Sequence, residues 1–114
     1  MDTGQDLINE LNAVSDKMGL ALKETQKRGH EYAEKERQYK MANAKFILAQ
    51  RANSQPATLI KDLAMGDADV SLLRLQRDIA KVDYDNAKEA IMCYKLQINV
   101  LKDQVNQLWH SGNN

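Results

Sequence analysis

Two histidines and a run of glutamates are the residues of this chain whose types could support metal or acid–base chemistry. His30 and His110 lie far apart in the sequence, and neither has a second ligand at the i+3 or i+4 spacing of a metal site on a helix. Glu31, Glu34 and Glu36 alternate with basic residues, which is typical of a solvated helix face that carries exposed ion pairs. We therefore expect no metal, no cofactor and no catalytic site, and we expect that the chain is not an enzyme.

The glycines, serines and single cysteine supply no chemical motif either. No glycine belongs to a phosphate-binding loop that ends in Lys-Ser or Lys-Thr, and no serine occupies a nucleophile elbow. Cys93 has no partner for a disulfide within the chain. Its position between the polar and apolar faces of a helix predicts an inert, packed thiol.

A basic stretch in the first half of the chain is the candidate for nucleic-acid contact. Tyr32 and Tyr39 lie within it and could stack on bases, but they also match an apolar helix stripe, and acidic residues dilute the charge. Sixteen basic and sixteen acidic residues leave the whole chain without the positive field that attracts DNA. DNA binding is therefore a secondary hypothesis, and it uses Lys23, Lys27, Arg28, Lys35, Arg37 and Lys40.

Apolar residues recur every three or four positions from Ala80 to Leu108, which is the a/d spacing of a coiled coil. This seam predicts an all-α protein in which helices pack on helices. We expect self-association through the seam residues Tyr84, Ala87, Ile91, Tyr94, Ile98, Leu101 and Val105.

A second stripe on the same helix widens its apolar face beyond what one neighbouring helix can cover. Dimerisation into a four-helix bundle would cover that width, as would an N-terminal helix folded back on the chain. The second stripe comprises Leu72, Leu75, Ile79, Val82, Cys93, Leu96 and Val100.

The helices are predicted to form one domain, residues 1–114, as a long antiparallel hairpin. The first helix spans about 5–52, and in an alternative its N-terminal part folds back at Gly19 or at Gly29, the latter in the stretch 23–31 where the apolar stripe fades. The connection, about 53–68, contains Pro56, which disfavours helix in the residue before it. The last helix spans about 69–110.

The connection itself is predicted to contain a short helix. Thr58 is the candidate residue for its N-terminal cap, and Gly66 is the candidate for a positive φ at its C-terminus. Asp67 or Asp69 is then suited to begin the last helix, because a carboxylate is favourable at a helix N-terminus.

This connection is longer than a plain hairpin requires, so it either caps the end of the bundle or contacts another protein. Trp109, near the far end, has the same two interpretations. The positions best suited to contact a protein partner are Ile60, Lys61, Asp62, Arg74, Arg77 and Trp109.

The N-terminal residues have neither the positive start nor the apolar core of a secretory signal. No apolar run approaches the roughly twenty residues that span a bilayer. We therefore expect a soluble, cytoplasmic protein without membrane contact.

The region from Tyr39 to Trp109 resembles a family of small helical proteins encoded by phages and prophages of Gram-positive bacteria. The most distinctive match is the run Ile60-Lys61-Asp62-Leu63-Ala64 followed by Gly66-Asp67, and Tyr39-Lys40, Pro56 and Arg77-Asp78 also match. The resemblance implies a phage origin, expression in the bacterial cytoplasm, and a place among functions of recombination and replication. It implies no catalytic residues.

The leading hypothesis is a non-enzymatic phage accessory protein that binds and modulates a host or phage protein of recombination, replication or defence. We expect it to form a homo-oligomer, with a dimer favoured. A DNA-binding accessory factor and a structural or scaffolding coiled-coil protein are the alternatives.

Overall fold

The computed structural model describes residues 3–112 and is all-α, as the periodicity predicts. It contains α1 (Thr3–Ala52), α2 (Ala57–Gly66) and α3 (Ala68–Gly112), and no strand within these residues. α1 is one continuous helix, so the alternative of a break at Gly19 or Gly29 is wrong. The last helix extends two residues beyond its predicted end, and residues 113–114 lie outside the described part of the chain.

A serine in the left-handed conformation terminates α1. The Ser54 N–H donates to the Arg51 carbonyl, and the Gln55 N–H donates to the Gln50 carbonyl, at 3.0 and 3.1 Å. With Ser54 at φ 61°, this pair of bonds forms a Schellman motif, which satisfies carbonyls that a helix end otherwise leaves open. Pro56 follows directly and prevents the helix from continuing.

The ends of α2 differ from the sequence prediction. Pro56 occupies the N-cap position without a side-chain cap, and Thr58 lies inside the helix. Gly66 ends α2 without adopting a positive φ, so that prediction is wrong, and the extended Asp67 links α2 directly to α3. The link between α2 and α3 therefore contains no left-handed residue.

Asp67 begins α3 as one of the two predicted capping residues. Its Oδ2 accepts a hydrogen bond from the Val70 N–H at 3.0 Å, and its carbonyl accepts one from the Ser71 N–H at 2.9 Å. The side chain thus satisfies one of the first amide groups of the helix. The other candidate, Asp69, lies exposed in the first turn.

The chain divides into two compact units. Unit 1 contains the described residues up to Gln26 and from Asp85 onward, and unit 2 is Lys27–Tyr84. In unit 1, Val14 packs with Ile98 and Leu101, and four partly buried residues pack against these three: Leu7, Leu11, Met18 and Tyr94.

In unit 2, α1 and α3 run antiparallel. Arg28 pairs with Asp83 at 3.8 Å, while the Tyr39 ring, farther along α1, lies 4.5 Å from the guanidinium carbon of Arg77, which is earlier in α3. The Tyr32 and Tyr84 rings form a tilted pair with centroids 6.2 Å apart. α2 contributes Ile60 and Ala64, which are buried and lie one helical turn apart on the same face.

The hydrophobic core is small. Seven apolar side chains within residues 3–112 are buried, while seventeen large apolar side chains are exposed. None of the described helices is long and apolar enough to cross a membrane. More large apolar side chains of residues 3–112 are therefore exposed than are buried.

Candidate partner-binding surface

A groove forms in unit 2 where α2 meets the C-terminal part of α1 and the start of α3. It encloses a cavity of about 400 Å³. Its apolar lining comes from α1 and α2, and its polar lining comes from all three helices. The lining residues are Tyr39, Asn43, Ile47, Arg51, Ala57, Ile60, Lys61, Ala64, Met65 and Arg74.

The apolar floor depends on how α2 packs. Ile60 is only 4% exposed and Ala64 is 5% exposed, so this face of α2 is buried in unit 2 while the rest of the helix faces water. Ile47 of α1 adds a half-buried side chain to the same groove. The floor can therefore receive an apolar side chain from a ligand.

The charged lining has one sign. Arg51, Lys61 and Arg74 come from α1, α2 and α3 respectively, and no acidic residue of the described range 3–112 lines the groove. Arg74 Nη2 donates to the Met65 carbonyl at 3.1 Å, which ties α3 to the last turn of α2. The groove is thus a cationic site with an apolar floor on a chain whose net charge is zero.

Arg77 lies next to the groove in a structural role. Its guanidinium stacks on the Tyr39 ring and donates from Nε and Nη2 to Asp78 Oδ1 at 3.0 and 2.8 Å. The hydrogen bond with Asp78 raises the pKa of Arg77 above its ordinary value. Its charge is therefore already partnered within the chain.

The predicted partner-binding residues separate into three groups. Ile60, Lys61 and Arg74 line the groove, so the structure brings these three together. Asp62 and Arg77 lie outside the lining. Asp62 is exposed on α2, and Arg77 stacks on the Tyr39 ring at the edge of the groove. Trp109 belongs to unit 1 and is 70% exposed.

Sequence reasoning missed the α1 side of the groove. Tyr39, Asn43, Ile47 and Arg51 recur at every fourth position, which places them in one row along the helix. This row was a detectable signal. The row is hard to recognise from the sequence because Tyr39 and Ile47 also fit the apolar stripe of α1. Arg51 lies just before the connection, where no further residue continues the row.

Several residues of the seam predicted for self-association pack within the chain, and self-association through the seam stays a prediction. Ile98 and Leu101 belong to the core of unit 1 with Val14, and Tyr84 packs against Tyr32 in unit 2. The remaining seam residues, Ala87, Ile91, Tyr94 and Val105, are half-buried. The second stripe is the exposed one, and its members are Leu72, Leu75, Ile79 and Val82 in unit 2 and Cys93, Leu96 and Val100 in unit 1.

Cys93 and His30 are two residues whose side chains could support chemistry. Cys93 is exposed, so the prediction of a packed thiol is wrong. His30 lines a second cavity of unit 2 with Glu31, Glu34 and Asp83, yet no group of His, Cys, Asp or Glu within residues 3–112 is arranged to hold a metal ion.

Three of the six residues of the basic stretch form ion pairs with acidic side chains. Arg28 pairs with Glu31 at 3.2 Å as well as with Asp83, and Arg37 pairs with Glu34 at 2.6 Å. Lys40 lies 3.6 Å from Glu36. Lys23, Lys27 and Lys35 complete the predicted set, and these pairs reduce the net charge that the set offers to a phosphate backbone.

Comparisons with known proteins add no relative. No protein-family model, no curated protein and no solved structure matches this chain.

Proposed function

We propose that this chain is a non-enzymatic accessory protein of phage origin. It acts in the cytoplasm of the bacterial host, where it binds a host or phage protein of recombination, replication or defence and modulates its activity. The resemblance in the central Ile60–Asp67 run supports the origin.

One observation carries the binding role. Within unit 2, Leu72, Leu75, Ile79 and Val82 follow one line along α3 at alternating spacings of three and four residues, and they are 52 to 57% exposed. Contiguous exposed apolar patches on soluble proteins mark interaction sites. Complete burial of a fully exposed apolar side chain contributes about 1.5–3 kcal/mol, and a partner that covers this line gains roughly half of that from each side chain, because each is already partly buried.

The experiment is affinity purification of the tagged protein from host cells, with and without phage infection and with nuclease treatment, followed by mass spectrometry. A stoichiometric, nuclease-resistant partner that is lost from Leu75→Glu with Ile79→Glu supports the proposal. The matched control is Lys81→Glu, which changes an exposed residue of the same helix. Recovery of no protein other than the chain itself contradicts the proposal.

The two alternatives give different results in the same experiment. Recovery of DNA alone, with an affinity that falls steeply with salt, would favour the DNA-binding factor. Recovery of the chain alone, as large oligomers, would favour a scaffolding protein.

A further inference from the structure

The groove of unit 2 concentrates positive charge on a chain that otherwise alternates its charges. Arg51, Lys61 and Arg74 face it from three helices. Elsewhere in unit 2, the arginines Arg28, Arg37 and Arg77 each have a carboxylate within 4 Å. Within residues 3–112, the ion pairs of the structure include none for Arg51, Lys61 or Arg74. These three cations are therefore available to carboxylates from outside the chain.

The shape of the groove adds a second requirement for the ligand. Its volume of about 400 Å³ is within the range of small-ligand and side-chain pockets. Ile47, Ile60 and Ala64 make its floor apolar. A ligand that satisfies both requirements carries an apolar side chain for the floor and negative groups for the rim.

We infer that this groove binds an acidic peptide segment of the partner protein, with one apolar side chain on the floor and flanking carboxylates on Arg51, Lys61 and Arg74. The inference rests on the proposed protein-binding function and names the kind of segment that the groove takes. Arginine pairs bidentately with carboxylates, which favours Asp or Glu at the flanking positions.

A peptide fits the groove better than a nucleic acid does. Single-stranded nucleic acid is held by aromatic faces on which bases stack. Among residues 3–112, Tyr39 is the one aromatic residue of the lining, and the Arg77 guanidinium covers one face of its ring at 4.5 Å. The apolar floor also offers no favourable contact to a phosphate backbone, which carries a charge at every nucleotide.

The test is selection of peptides from an mRNA-displayed random library on the full-length protein, followed by affinity measurement of the enriched peptides. The variant is Arg51→Glu with Lys61→Glu, because both side chains are exposed and neither makes a hydrogen bond that ties helices together in the way that Arg74 does. The control is Lys45→Glu with Lys81→Glu, which makes the same charge change on exposed residues of unit 2 outside the groove. Circular dichroism checks that both variants remain helical.

We expect enrichment of peptides with an apolar residue between acidic residues. Their binding should weaken about tenfold or more in the groove variant, while the control retains wild-type affinity within about twofold. A photo-crosslinker at Asn43 should capture the enriched peptide. Enrichment of neutral or basic peptides, or equal affinity in the two variants, overturns the inference, as does binding of a single-stranded oligonucleotide that displaces the peptide from Asn43.

Failure of this inference is distinguishable from failure of the proposed function. If the groove variant still recovers the stoichiometric cellular partner while Leu75→Glu with Ile79→Glu does not, protein binding stands and the groove is not its peptide site. If the groove selects acidic peptides but the wild-type chain recovers no cellular protein, the inference stands and the accessory role fails.

Discussion

Gly19 and Gly29 both lie inside α1, but their surroundings differ. A methyl group added at Gly19 meets nothing within 4 Å, whereas one at Gly29 lies 3.2 Å from Cε1 of Tyr84. Gly29 therefore permits the close approach of Tyr84, and the polar stretch that predicted a bend is accommodated in a continuous helix.

We expect Gly19→Ala to stabilise the protein by about 0.5–1 kcal/mol, because glycine within a helix costs that amount relative to alanine. Gly29→Ala should gain less or be destabilising, since its methyl group displaces the Tyr84 ring. Urea unfolding of both variants gives the comparison. Equal stabilisation of both would mean that the Tyr84 contact does not constrain position 29.

Glu34 gives a pH-dependent prediction. Hydrogen bonds from Arg37, at 2.6 and 3.0 Å, and then from Gln38, at 3.3 Å, lower the pKa of Glu34 below its ordinary value. A carboxylate with a lowered pKa stabilises the fold above its ordinary pKa, and this stabilisation is lost as the pH falls through the lowered value.

Arg37→Gln should therefore raise the pKa of Glu34 toward its ordinary value and weaken the loss of stability in acid. NMR titration of the Glu34 side-chain carboxyl measures this shift, and Lys45→Gln, at an exposed position of the same helix, is the control. An unchanged titration of Glu34 in Arg37→Gln would show that the pair does not persist in solution.

At the scale of the elements, the start of α3 illustrates what local sequence specifies. Asp67 was one of two predicted caps, and it is the one whose carboxylate reaches an amide group, at Val70. The prediction for Thr58 was wrong because Pro56 occupies the cap position two residues earlier. Capping requires a residue type and an exact boundary, and the sequence indicated the type more reliably than the boundary.

Asp67→Ala should destabilise the protein by about 1 kcal/mol, since it removes the cap of α3. Asp69→Ala changes a carboxylate in the same helical turn that contributes through the helix dipole, for which about 0.3–1 kcal/mol is typical. Thermal unfolding at neutral pH compares the two variants. A larger effect at position 69 would contradict the assignment of the cap.

The periodicity predicted helices correctly but did not specify which stripe of α3 would be buried. The seam and the second stripe both repeat at three and four residues on one helix. Only the pairing with α1, through contacts such as Val14 with Ile98, decides between them. That pairing depends on residues distant in sequence, so a pattern read along α3 alone cannot reveal it.

At the scale of the whole molecule, the small core makes each buried side chain important for stability. Ile98→Ala should cost about 2–5 kcal/mol, because Ile98 packs in the core of unit 1 at 8% exposure. Val100→Ala, on the same helix at 55% exposure, should change stability by less than about 0.5 kcal/mol. Urea unfolding with a parallel mass measurement separates loss of folding from loss of association.

If Ile98→Ala left the unfolding curve unchanged but lowered the mass of the oligomer in solution, the seam would serve association between chains, as the spacing of its residues predicts. The candidate groove also belongs to this scale. Lys61 and Arg74 were identified from the sequence, while Arg51 and Asn43 were not, because three helices must meet before these residues share a surface.

The two units differ in how their parts are distributed along the chain. Unit 2 is one continuous segment, whereas unit 1 joins the start of the chain to its end. During synthesis, Leu7, Leu11 and Val14 therefore emerge from the ribosome long before Ile98 and Leu101. Contacts between distant segments form slowly, because they close a large loop. The apolar side chains of the nascent N-terminal segment therefore stay uncovered until the second half of α3 has been synthesised, and we expect chaperones to bind this segment during that time.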